Sequence, residues 1–128
     1  MTIKMLMAVA SGGALGAVLR YSVTSFVGQW AGHGFPWGTL TVNIVGSFVL
    51  GALIEIMALQ WSPCEAVRAF IVVGVLGAFT TFSTFSLDIQ TLIARDQMML
   101  AVVYVGGSVS IGFAALMAGM MLFRQVLS

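Results

Sequence analysis

Apolar residues dominate this chain in four long stretches, and the few charges fall mostly near their ends. The stretches run from about Met5 to Val27, Trp37 to Leu59, Val67 to Leu92 and Met98 to Phe123. A helix needs about 20 residues to cross the hydrocarbon core of a bilayer, and each stretch is long enough. There is no strict alternation of apolar and polar residues to suggest barrel strands. Lipid offers no partner to an open backbone amide, so the pattern predicts four transmembrane helices. The joining segments are short and punctuated by Gly32, Gly34 and Pro36, by Ser62-Pro63, and by Arg95-Asp96. Short connections make neighbouring helices antiparallel. Residues 1–128 therefore read as a single all-α, four-helix transmembrane domain.

Composition strengthens that reading. The chain is 60% hydrophobic and only 7% charged, with a mean hydropathy of +1.09. A soluble domain carries about 25% charged residues. A net charge of +1 leaves no basic stripe for nucleic acid. The single cysteine, Cys64, excludes an intrachain disulfide and a cysteine metal cluster, and reads as a loop thiol. His33 reads as a solvated loop histidine. Ala8-Val9-Ala10 has the form of a signal-peptidase site, but the apolar run before it is too short, so the first span is expected to stay uncleaved.

Four spans place Lys4, Arg68 and Arg124 on one side of the membrane, and Arg95, with Arg20 at an undecided depth, on the other. That bias is feeble by the positive-inside rule and is compatible with insertion in both orientations. Four helices are too few to enclose much of a pathway, whereas two copies inserted in opposite senses would form an antiparallel dimer. Small residues at close-packing spacing predict helix crossings: Gly12 and Gly16, Ser47 and Gly51, Ser108 and Gly112, Ala115 and Gly119.

Polar side chains inside the spans carry the candidate chemistry, because each costs free energy in hydrocarbon unless it is paired. The first span holds Arg20, Tyr21 and Ser22; the second Thr39, Thr41 and Asn43; the fourth Tyr104, Ser108 and Ser110. These are donors without a mid-span carboxylate, since Glu55 and Asp88 lie toward helix ends, and that pattern suits an anion. Alternative readings are an interhelical hydrogen bond for Asn43 and snorkelling to the interface for Arg20. The third span packs five hydroxyls, Thr80, Thr81, Ser83, Thr84 and Ser86, into seven positions. Such residues compete for backbone groups, which predicts a break in the helix. Unwound backbone at that depth must be buried in protein or line a cavity, with freed carbonyls suited to a cation and amides and hydroxyls suited to an anion. Phe82 and Phe85 share a face if the segment stays helical. Their positively polarised ring edges can face an anion, although packing and lipid contact are the ordinary uses of phenylalanine in a span.

These residues, Gly12 to Tyr21, Gly38 to Asn43 with Gly46-Ser47-Phe48, and Gly77 to Ser86, resemble the Fluc (CrcB) family of small fluoride channels. The string Thr80-Thr81-Phe82-Ser83-Thr84-Phe85-Ser86 is its most specific part. The resemblance implies a broken third helix and an antiparallel, dual-topology homodimer with two fluoride pores in a bacterial inner membrane. It implies no enzyme, only passive release of toxic fluoride. By the same resemblance Phe82 and Phe85 are the paired pore phenylalanines and Asn43 the polar pore residue of the second helix. Thr39, Ser83, Tyr104, Ser108 and Ser110 belong to a hydroxyl track, and Arg20 stands near an aqueous vestibule. The Gly77 and Thr80 carbonyls of both subunits would enclose a structural sodium ion. Two rival readings compete with this one. A small multidrug-resistance-type exporter would need the first-span carboxylate that is missing, and a non-transporting assembly subunit leaves Thr80 to Ser86 unexplained.

Overall fold

The computed structural model describes residues 2–128, all of whose regular structure is helical. Helix α1 spans Ile3–Ala31 and α2 spans Trp37–Leu59. The third crossing comes in two pieces. Helix α3, residues 65–79, contains a π-helical stretch at Ala69–Leu76; helix α4, Ser83–Ala94, follows after a break. Helix α5 spans Met98–Leu127. With α3 and α4 taken together, four helices are long and apolar enough to cross a membrane.

Local chemistry sets the helix ends. The Thr2 side chain accepts from the Met5 amide at 3.3 Å and caps α1. Gly32, at φ +79°, adopts a conformation that L side chains resist, and there α1 stops. This helix passes the expected end of its span near Val27 because hydropathy measures the hydrocarbon layer, whereas a helix continues until a residue ends it. Asp96, at φ 59°, turns the chain between α4 and α5 in a conformation that aspartate tolerates.

The molecule is inverted relative to a soluble protein. Trp30, Tyr21, Met99 and Val126 are exposed, while the fully buried side chains are few: Val42, Leu92 and Tyr104. Lipid tails are as apolar as leucine, so no hydrophobic drive holds the helices together, and close van der Waals approach must do it. Two glycine-mediated crossings supply that approach. At the α1–α3 crossing, a methyl group on Gly12 would collide with the Phe70 carbonyl and one on Gly16 with the Val75 carbonyl. At the α2–α5 crossing, Gly51 abuts the Leu116 carbonyl and Gly119 the Phe48 carbonyl. Gly112 is looser, with the Ser47 hydroxyl 4.0 Å from where its Cβ would stand. A salt bridge adds to the second crossing: buried Glu55 accepts from Arg124 Nη2 at 2.8 Å. The pairing offsets part of the cost of burying the carboxylate.

Overpacking a close crossing costs about 1–3 kcal/mol, because backbone must move. Gly12→Ala should lower the thermal stability of the purified protein accordingly. Gly13→Ala, where nothing lies within 4 Å of the added methyl, should leave it unchanged. Equal melting temperatures for the two variants would refute the crossing as the source of α1–α3 stability.

Candidate functional site

The third crossing unwinds at the hydroxyl-rich string. The Thr80 amide still donates to the Leu76 carbonyl at 3.1 Å, but Thr80 then turns extended, at φ −88° and ψ 157°. Continued helix would send the Thr81 amide to the Gly77 carbonyl. Instead it donates to Asn43 Oδ1 at 2.9 Å, while Asn43 Nδ2 donates back to the Thr81 carbonyl at 3.2 Å. One side-chain amide from α2 thus satisfies both backbone groups of Thr81. The Thr81 hydroxyl accepts from the Thr84 amide at 3.2 Å and caps α4. Arg20 Nε donates to the Ala78 carbonyl at 3.0 Å. Among the described residues, the carbonyls of Gly77, Phe79 and Thr80 receive no hydrogen bond.

A cleft of about 430 Å³ opens beside the break. Asn43, Gly46 and Ser47 of α2, Gly77, Thr80, Thr81, Phe82 and Phe85 of the third crossing, and Ser108 and Gly112 of α5 are among its lining residues. None of the lining side chains is charged. The Ser108 hydroxyl is buried and finds no hydrogen-bond partner, a state that costs about 1–3 kcal/mol unless something else accepts or donates there. Phe82 is 78% exposed, and its ring centre lies 5.9 Å from that of Phe85 at a tilt of 46°.

A second, more polar cavity of about 290 Å³ lies between the first loop and α4, lined by Thr39, His33, Asp88, Thr91 and Arg95 among others. Tyr104, only 1% exposed and outside that lining, donates to Asp88 Oδ2 at 3.0 Å. Phe85 packs against Tyr104 with ring centres 5.0 Å apart, and Phe35 meets it edge-on at 5.4 Å. These aromatic rings stand between residues of the two cavities.

The structure thus brings Asn43, Gly77, Thr80, Phe82, Phe85 and Ser108 to one cleft and sets Thr39 in the second cavity. Ser83 and Ser110 are exposed and line neither. Arg20, expected near a vestibule, is bound to backbone at the break. Two residues outside the sequence-derived site matter here. Thr81 is the hub of the break; its spacing to Thr84 is that of a helix cap, a readable signal. Asp88 pairs with Tyr104 across two helices, for which the sequence holds no signal.

Oxygen-only groups such as the free carbonyls suit a hard cation, and the described residues hold no cluster of His, Cys, Asp or Glu for a transition metal. The uncharged donors of the cleft suit a small anion.

Comparison with known proteins shows the family. Residues 7–120 match the family described as CrcB-like protein, Camphor Resistance (CrcB). A protein of Rhodospirillum centenum named fluoride-specific ion channel FluC is 46% identical over 98% of this chain and 99% of its own length. Proteins of the same name from Nitrobacter winogradskyi and Agrobacterium fabrum are each 48% identical, covering 94% and 92% of this chain and 96% and 94% of their own. With the family matched over most of the chain and relatives aligned nearly end to end, this multi-pass membrane protein belongs to the CrcB family.

Proposed function

We propose that the chain is a fluoride-selective channel whose conducting path runs along the cleft beside the break. The observation that carries this reading is the buried, unpartnered Ser108 hydroxyl in an uncharged cleft shared with Asn43, Phe82 and Phe85. Fluoride is small and strongly hydrated, so a selective path must replace its water with donors at close quarters. Ser108 has its hydrogen to give. Asn43 Nδ2 has two hydrogens and spends one on Thr81. The ring edges of Phe82 and Phe85 add weak positive polarity. A full positive charge in the narrow part would hold the ion too long; Arg20, tied to the Ala78 carbonyl, lies outside the cleft lining. Thr39, Tyr104, Ser83 and Ser110 extend the hydroxyl track in this proposal, with Asp88 orienting the Tyr104 hydroxyl. Conduction forms and breaks no covalent bond. An inside-negative potential favours anion exit by about 2.3 kcal/mol per 100 mV, so export across the bacterial inner membrane needs no other energy source.

The functional unit in this proposal is an antiparallel homodimer with two pores. Phe82 is exposed, Gly77 is exposed, and three carbonyls at the break lack donors. Irregular backbone at membrane depth is tolerated only under protein cover or against a cavity, and a second copy gives that cover. The Gly77 and Thr80 carbonyls of both copies would then hold a sodium ion, which supplies a positive charge that ties the two breaks together. Hard oxygen donors on each chain fit that group.

Liposomes containing the purified protein should release fluoride without comparable chloride release, read by ion-selective electrodes. Phe82→Ile and Phe85→Ile should each cut that release at least several-fold with the dimer intact. No fluoride flux from folded wild-type protein would end the channel reading. Ser108→Ala should also slow flux, yet leave stability unchanged or raise it by about 1 kcal/mol, because a buried unsatisfied hydroxyl is removed. A marked loss of stability would instead make Ser108 a packing residue. In native membranes a C-terminal tag should be accessible from both sides; a one-sided result would defeat dual topology.

A further inference from the structure

We infer that Asn43 is a positioning residue for the cation-binding carbonyls, in addition to any contact it makes with the moving anion. This inference rests on the proposal that Gly77 and Thr80 hold sodium. Its physical basis is a competition for one backbone amide. The Thr81 N–H has two available acceptors: the Gly77 carbonyl, which a continuous helix would use, and Asn43 Oδ1, which it uses at 2.9 Å. Asn43 wins because its amide also donates to the Thr81 carbonyl at 3.2 Å, so releasing Thr81 would leave both of its backbone groups without their partners at membrane depth.

The consequence reaches the carbonyls that flank the break. With its own helical donor diverted, the Gly77 carbonyl is left open. The Thr80 carbonyl is opened by the next step of the same arrangement, because its helical donor, the Thr84 amide, goes to the Thr81 hydroxyl at 3.2 Å. That hydroxyl is in place only while Asn43 holds the Thr81 peptide. The same asparagine lines the cleft with Ser108, Phe82 and Phe85. One side chain therefore helps shape the anion path and keeps the cation-binding carbonyls open. The two sites are coupled through the orientation of the Thr81 peptide.

The test reads sodium dependence of thermal stability, with purified full-length protein in sodium chloride against N-methylglucamine chloride at equal ionic strength. Wild type should melt at a higher temperature in sodium. Asn43→Ala should lose that sodium-dependent shift, because the Thr81 amide is free to close on Gly77. Thr81→Val leaves both Asn43 bonds in place but removes the hydroxyl that holds the Thr84 amide, so the Thr80 carbonyl can close and the shift should shrink. Asn43→Gln keeps both an acceptor and a donor for the Thr81 peptide and should keep the shift; Thr81→Val decides the matter if Asn43→Ala does not fold. An undiminished shift in Asn43→Ala or in Thr81→Val, or its loss in Asn43→Gln, would each overturn the coupling. Absence of a sodium shift in wild type would instead refute the cation proposal itself.

Discussion

Lipid cannot hydrogen-bond to a peptide group, and the design of this protein follows from how it answers that constraint at one place. Three of the four crossings answer it simply, as unbroken helices. The third does not. Its break releases amides and carbonyls in the middle of the chain's most hydroxyl-rich string, and the two neighbouring helices each send one polar side chain to meet them: Asn43 from α2 to Thr81, and Arg20 from α1 to Ala78. The carbonyls left over on Gly77, Phe79 and Thr80 are too numerous to be accidental omissions in a setting where each open group is costly. They are the backbone groups that the described chain leaves open at the break.

Close packing makes these meetings possible. Asn43 is a short side chain, and it reaches Thr81 because α2 and the third crossing nearly touch: a methyl on Gly46 would collide with the Thr80 side chain. The π-helical stretch at Ala69–Leu76, just before the break, lies against α1 at Gly12 and Gly16. Such stretches shift the phase of a helix and are frequent at functional sites. The glycines therefore do more than join helices, since they set the distance at which side chains of one helix can stand in for the backbone partners of another.

The cleft and the second cavity divide polarity between them. Of the two, only the second has charged side chains in its lining, Asp88 and Arg95, while the cleft offers hydroxyls, an amide and ring edges. In the proposed channel, charge near a mouth would attract ions, and uncharged donors along the path would let them go again. The Ser108 hydroxyl shows the cost of this arrangement most plainly: the protein tolerates a buried group with no internal partner, as functional sites do when selection favours activity over local stability.

The sequence alone determined the helices, the crossings of small residues and the presence of a break, because these depend on composition and local spacing. Apolar runs of membrane length admit one class of structure, and five hydroxyls in seven positions destabilise helix wherever they occur. It also placed Asn43 and Ser108 among the candidates, since donors in a span stand out against an apolar background, whereas Phe82 and Phe85 became candidates chiefly through the family resemblance of their string. The tertiary structure decided what each donor does. Arg20 turned to the Ala78 carbonyl, Thr81 became the hub of the break, Asp88 met Tyr104, and Ser83 and Ser110 stayed outside both cavities. A hydrogen bond forms between whichever groups packing brings within about 3 Å at a suitable angle, and that pairing is a property of helix crossings that no local stretch of sequence contains.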